Sequence, residues 1–222
     1  MSSIAVFGAG GRAGRATTAE ARQRGHTVTA VVRDPDKHRG ITADRVLRGD
    51  VRDAASVAAV SSGHDAVVNA VSPASDPEAL AGLAHLDEQF FVSSVDALLL
   101  GMERAEVGRL VLIGLFANLV DHHGRAVLDD PTLFPHELRP FALAHTAGLE
   151  RLRSTGTTVD WVMLTPPALL DAAAPRTGQY RIGGETLPEG SPAGLSYADL
   201  AVAIVDEIDN PLHHRMRISV FD

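Results

Sequence analysis

The sequence predicts the α/β class, with a doubly wound parallel sheet covered by helices on both faces. Three observations carry that expectation. The apolar run at residues 3–7 ends in the cluster Gly8-Ala9-Gly10-Gly11-Arg12-Ala13-Gly14 and leads into a helix-forming segment. Residues 12–24 are rich in Ala, Arg and Glu and separate two strand-like runs, so strand, helix and strand form a unit of parallel topology. Residues 65–71, finally, include Ala66-Val67-Val68, a continuous apolar stretch of the kind a strand buried on both faces requires.

The glycine cluster carries the first functional information. A turn between strand and helix takes backbone conformations that a Cβ would block, and a phosphate must come close to main-chain N–H groups at the helix start. Gly8, Gly10 and Ala13 fit the G-x-G-x-x-[GA] dinucleotide fingerprint, while Gly8, Gly11 and Gly14 fit the G-x-x-G-x-x-G spacing of short-chain dehydrogenases. Both patterns stand where their mechanism needs them, after a strand and before a helix. Gly8, Gly10, Gly11, Arg12, Ala13 and Gly14 are therefore expected around a bound pyrophosphate, in a Rossmann-type sheet.

Composition narrows the alternatives. At 222 residues the chain is expected to form one domain, residues 1–222, whose C-terminal part from about 165 to 222 supplies the substrate side. The absence of cysteine excludes disulfides, thiol catalysis and thiolate metal sites. A formal charge of −8 disfavours nucleic acid, although Arg12, Arg15 and Arg33 can still form a local phosphate pocket. No stretch is long and apolar enough to span a bilayer, and the first strand begins within a few residues of Met1, so the expected location is cytoplasmic.

The remaining elements follow in order. Gly25 is placed to close the first helix, and residues 26–32 read as the second strand. That strand ends in Val31-Val32-Arg33-Asp34-Pro35, where the adenosine ribose is read: an arginine suits a 2′-phosphate, an acid suits a free ribose hydroxyl. Arg33 points to NADP(H), with Asp34 as the alternative reader for NAD(H). Residues 45–49 form a short third strand, and Asp50 with Val51 at its carboxyl end is expected near the adenine, whereas Asp53 is expected to cap the following helix.

Ala70, Val71 and Ser72, at the end of the strand over 65–71, are expected beside the middle of the cofactor. Asp76-Pro77-Glu78 has the order of a helix start, and Phe91, Val95, Leu98, Leu99 and Met102 recur at helical spacing within 87–105, a stripe read as core. Residues 109–114 form the fifth strand and open into a long loop over 115–135. Its Asp121, His122 and His123 have no further partner at metal-binding spacing, and no metal is expected. A helix over 136–154 puts Phe141, His145, Leu149 and Leu152 on one face. Residues 159–164 are the sixth strand, 179–187 read as a hairpin around Gly183-Gly184, Ser196 to Asp199 as a capping box, and 215–221 as a closing strand.

Taken together, the glycine turn, the Val-Val-Arg-Asp-Pro strand end, Gly49-Asp50-Val51, Asp160-Trp161 with Thr165-Pro166-Pro167, residues 177–184 and Ser196-Tyr197-Ala198-Asp199-Leu200-Ala201-Val202-Ala203 resemble the atypical short-chain dehydrogenases. Within these the chain is similar to the NmrA-like group of NADH-flavin reductases related to biliverdin reductase B. The resemblance implies a Rossmann core that binds NAD(P)H. Short-chain dehydrogenases carry a catalytic Ser and a Tyr-x-x-x-Lys pair; here the corresponding helix reads Phe141-Ala142-Leu143-Ala144-His145, and the serine position aligns with Asn118. Phenylalanine cannot donate a proton, so alcohol–ketone chemistry is not expected.

Hydride transfer to a flat acceptor survives that loss, with a free flavin or quinone as small-molecule substrate and His145 or solvent as the proton source. Asn118 and His145 are the candidate catalytic residues. The alternative is a non-catalytic dinucleotide sensor resembling the NmrA-type regulators, acting through a protein partner; a homodimer is compatible with both readings.

Overall fold

The computed structural model describes residues 1–73, 86–188 and 194–222. Its strands are β1 (Ser3–Phe7), β2 (Thr27–Val32), β3 (Arg45–Arg48), β4 (Ala66–Asn69), β5 (Arg109–Ile113), β6 (Asp160–Thr165), β7 (Leu170–Asp171), β8 (Arg181–Gly183), β9 (Leu195–Ser196) and β10 (Met216–Phe221). The helices are α1 (Arg12–Gln23), α2 (Ala54–Ser61), α3 (Phe90–Arg104), α4 (Arg139–Ser154) and α5 (Tyr197–Asp209).

Eight strands form the central sheet in the order β3-β2-β1-β4-β5-β6-β10-β8, and β7 pairs separately with β9. All neighbours in the large sheet are parallel except β8, which runs antiparallel to β10. The order reverses at β1: the chain first builds outward through β2 and β3, then returns to lay β4 on the other side. In open α/β sheets the crevice at such a reversal, outside the carboxyl ends of the strands, is where ligands bind.

Strand periodicity explains the two cores. On β1, Ile4 and Val6 face α1 and α5 together with Val28, Leu200 and Ile204. Ala5 and Phe7 face the other way, toward α2, α3 and α4, with Val57, Leu98, Met102, Leu149 and Trp161. The sheet is thus covered on both faces, as its continuous apolar strands demand.

Helix ends follow the local chemistry. Asp53 caps α2 by accepting from the Ala55 N–H at 2.9 Å, and Ser196 caps α5 by accepting from the Asp199 N–H at 2.8 Å. Gly25, with φ +85°, follows α1 in the left-handed conformation. The helix expected over 136–154 opens as a short 3₁₀ turn and becomes α-helical at Arg139, with Pro140 in its first turn. The expected start at Asp76-Pro77-Glu78 lies outside the described residues.

One expectation is corrected. Residues 179–187 do not fold into a hairpin: β8 pairs with β10 through Gly183↔Ser219, Ile182↔Val220 and Arg181↔Phe221. The chain then continues to Val120, whose N–H donates to the Glu185 carbonyl at 3.0 Å and whose carbonyl accepts from the Leu187 N–H at 2.8 Å. The open edge of β10 offers unpaired backbone groups, and pairing there satisfies them. Gly183 serves close approach rather than a turn, since a Cβ there would lie 2.6 Å from the Ser219 Oγ.

The tightest crossing is that of α1 on β1. A Cβ on Gly14 would stand 2.2 Å from the Gly8 carbonyl oxygen and 2.7 Å from the Ala9 Cα. Alanine ordinarily exceeds glycine by about 1 kcal/mol inside a helix, whereas forcing a methyl into packed backbone costs about 1–3 kcal/mol or more. Gly14→Ala is therefore expected to lower stability by roughly 1–3 kcal/mol in urea unfolding. Gly40→Ala, where nothing lies within 4 Å of the added methyl, should stay within about 0.5 kcal/mol of the parent. A stabilised Gly14→Ala would contradict the crossing.

Candidate functional site

The glycine turn lies at the reversal of strand order. Gly8 has φ +79°, and a Cβ on it would meet the Ala70 carbonyl oxygen at 2.6 Å, so the turn presses directly on the end of β4. The Gly11 N–H donates to the Gly8 carbonyl at 3.0 Å and closes the turn. Gly11 then opens α1 with no side-chain cap and no acid in the first turn. α3 and α4 also begin without a side-chain cap, but only α1 of these starts at the glycine turn, where its first N–H groups and the positive end of its dipole face the crevice at the reversal of strand order.

Gly10 has a neighbour that the sequence does not announce. The His38 ring, from the turn after β2, lies where a Gly10 Cβ would be, with ring atoms 2.5–2.8 Å from that point. On the turn itself, Arg15 Nε donates to the Gly10 carbonyl at 3.0 Å. The absence of a side chain at Gly10 thus accommodates an imidazole of the protein itself.

At the end of β2, Arg33 is exposed and forms no ion pair with the described residues, while Asp34 is engaged. One Asp34 oxygen accepts from the Asp36 N–H at 3.2 Å, and the other lies 3.7 Å from the Lys37 Nζ. Asp50 is exposed beyond β3, where Oδ1 accepts from the Arg52 N–H at 2.9 Å; Val51 is buried beside it.

A cavity of about 570 Å³ adjoins the turn. Gly11, Arg12 and Ala13 form its near side, and Ala70, Val71 and Ser72 its floor at the end of β4. The far side is apolar and rich in rings, with Phe91, Phe116, Phe134 and Phe141, closed by residues 166–170 after β6 and by Tyr197. The Arg12 guanidinium stands 5.3 Å from the centre of the Tyr197 ring. The stripe read as core on α3 is core from Val95 onward, but Phe91 at its start lines this cavity.

His145 also lines the cavity, only 7% exposed, its ring 4.4 Å from that of Phe91 and 6.4 Å from that of Phe141. Burial pushes its pKa down to about 4; hydrogen bonds to its own backbone and to that of Ile113 oppose the shift, and the Arg217 charge adds to it. At neutral pH the imidazole is uncharged. Asn118, the other candidate catalytic residue, is engaged by neighbouring elements: its Nδ2 donates to the Ala142 carbonyl at 3.0 Å and to the Thr146 Oγ1, and its backbone carbonyl accepts from Arg217 Nη1 at 2.9 Å. It is buried and stitches the long loop to α4 and β10, outside the cavity lining.

Among the described residues no group of three or more His, Asp or Glu gathers to hold a metal ion, and no helix is long and apolar enough to cross a membrane. His122 and His123 are exposed.

The chain resembles known proteins over nearly its whole length. A family model described as NAD(P)H-binding matches residues 8–211. The uncharacterized protein YwnB of Bacillus subtilis is 33% identical over 220 residues, which cover 98% of this chain and 97% of YwnB. A Burkholderia pseudomallei protein proposed to be exported superposes with a TM-score of 0.84 at 32% identity, over 100% of both chains. A Streptococcus pneumoniae protein proposed to be an NADH-flavin reductase superposes with a TM-score of 0.82 at 28% identity, again over 100% of both.

The buried imidazole makes a pH prediction. The ordinary histidine pKa is 6.5 and the folded value about 4, so the unfolded chain holds the extra proton between them. The stability that depends on His145 being neutral is fully present above 6.5, falls as pH drops through that window, and falls no further below about 4. Across it, the stability difference between the parent and His145→Phe should drift by up to about 1.4 kcal/mol per pH unit. A difference independent of pH would show that the ring is not buried as described.

Proposed function

As the chain belongs to the NAD(P)H-binding family, we propose that it is a reductase that passes hydride from NADPH to a flat acceptor such as a free flavin or quinone. One observation carries the reading: beside an uncapped helix start suited to a pyrophosphate lies a ring-lined apolar cavity with Phe141 and His145 on its wall.

The residues present fit the dinucleotide. Gly8, Gly10, Gly11, Arg12, Ala13 and Gly14 shape the turn where a pyrophosphate meets N–H groups, and Gly8 and Gly14 leave no room for a Cβ. Asp50 and Val51 would flank the adenine, and Ala70, Val71 and Ser72 the middle of the cofactor. The preference for NADP(H) rests on Arg33 having no ion-pair partner among the described residues while both Asp34 oxygens are engaged; NAD(H) is the weaker fit. Bound there, a reduced nicotinamide supplies two electrons and a hydrogen as hydride.

The protein's own contribution is positioning and exclusion of water. Phe91, Phe116, Phe134 and Phe141 give a planar acceptor ring surfaces to lie against, and orientation at short range lowers the barrier without a new catalytic group. His145, uncharged at neutral pH, shapes the wall, and the proton that completes reduction comes from solvent at the cavity mouth. A cytoplasmic location, where NADPH is kept reduced, belongs to this reading.

A second reading draws support from the same histidine: a cavity whose imidazole is uncharged at neutral pH also suits a dinucleotide sensor that reports to a protein partner. An assay of NADPH oxidation with FMN, riboflavin and menadione separates the two. Turnover supports the reductase, and tight NADPH binding with no turnover supports the sensor. Trp161 lies near the start of β6, at the sheet end opposite the ligand crevice, so affinity is better followed by calorimetry than by its fluorescence. Arg33→Ala should weaken NADPH about tenfold, roughly 1.4 kcal/mol, and leave NADH within about twofold; equal losses for both would remove Arg33 from cofactor choice.

A further inference from the structure

The far wall of the cavity is tied to the rest of the molecule by buried charge. Residues 166–170 close the cavity, and β7 then pairs with β9 through Leu170↔Leu195 and Asp171↔Ser196. From there residues 172–180 run as a strap over α1 and α5, nearly all of it exposed. So exposed a strap has little apolar surface to bury, and its position depends on polar tethers.

The central tether is Asp199, on the first turn of α5 and only 1% exposed. Its Oδ1 accepts from the N–H groups of Thr177 at 2.9 Å and Gly178 at 2.7 Å; its Oδ2 accepts from Thr177 Oγ1 at 3.1 Å and Ser196 Oγ at 2.7 Å. No cation pairs with it among the described residues. Capping α5 does not need this carboxylate, because the cap is the Ser196 Oγ accepting from the Asp199 backbone N–H. The side chain faces the strap.

Two further contacts extend the tether. Glu20 of α1, 4% exposed, receives the strap's Arg176 through Nε at 2.7 Å and Nη2 at 2.9 Å, and Arg24 at 2.7 Å. The Tyr180 hydroxyl donates to Asp206 at 2.5 Å. The same turn of α5 that sends Asp199 to the strap sends Tyr197 into the cavity.

We propose that Asp199 is a positioning residue of the acceptor site: by holding Thr177 and Gly178 it fixes the strap and, through β7, the cavity wall at residues 166–170. The proposal rests on the reading of this cavity as an acceptor site. It touches no part of the dinucleotide groove, so its loss should fall on one substrate alone.

Asp199→Asn keeps one acceptor oxygen and puts an NH₂ group in place of Oδ2, which accepts from the Thr177 N–H at 3.2 Å and from the Thr177 and Ser196 hydroxyls. In the full-length protein without ligand, hydrogen–deuterium exchange should rise at least tenfold in residues 172–180 and at Ala168, Leu169 and Leu170, and stay unchanged at residues 8–14. In turnover, KM for the flavin or quinone should rise about tenfold, with kcat and the calorimetric Kd for NADPH within twofold. Should Asp199→Asn fail to fold, Thr177→Val removes a single tether and should give the same pattern at smaller amplitude. Faster exchange confined to the strap, or parallel losses in acceptor KM and NADPH Kd, would overturn the proposal. If the parent turns over no acceptor, the acceptor reading falls, while the exchange pattern still decides whether Asp199 holds the wall.

Discussion

The structure depends on the contact between α1 and β1 where neither chain carries a Cβ. Gly14 rests on the Gly8 carbonyl, and Gly8 in turn on that of Ala70. Three backbone segments are thereby brought together with no side chain between them. That approach sets the helix start against the end of β4, makes Arg12 and Ala13 one side of the cavity, and directs Glu20 on the same helix toward the strap that follows the residues closing the other. A residue larger than glycine at either point would move the anion-binding helix start and the cavity rim together.

The crevice is electrically divided. On the side of the glycine turn, uncapped helix donors, Arg15 and Arg33, which forms no ion pair with the described residues, gather positive potential in a chain whose formal charge is −8. On the side of the cavity, aromatic rings line the wall and the imidazole of His145 is held neutral. Such a division suits a reaction in which an anionic cofactor is gripped at one end and a hydride moves at the other. For proton donation to a carbonyl, the wall offers no charged imidazole at neutral pH and α4 carries no tyrosine.

Much of this was legible in the sequence because it is local. The strand–glycine–helix opening, the alternation that splits β1 between two cores, the caps at Asp53 and Ser196, and the place of Arg33 each depend on residues close along the chain. What escaped depends on distant partners. Residues 179–187 looked like a hairpin because pairing with β10 cannot be read from spacing. Asn118 stands at an aligned serine position, and the contact of its amide with the carbonyl of Ala142, from another element, is not visible in that alignment. His38 resting on Gly10 and Asp199 holding Thr177 join residues 28 and 22 positions apart, and no local pattern signals either. The acidic residue three places after a cap serine is read most simply as part of a capping box, and here its carboxylate is used for something else.

The central claim is that hydride leaves a nicotinamide bound at the glycine turn and arrives on a flat acceptor in the adjoining cavity. Its most direct test is anaerobic turnover of FMN with NADPH deuterated at C4 on one face or the other. Label lost from a single face, with a primary isotope effect on that face alone, is the predicted result. Loss of label from both faces equally, or no loss from either while NADPH remains bound, would contradict it.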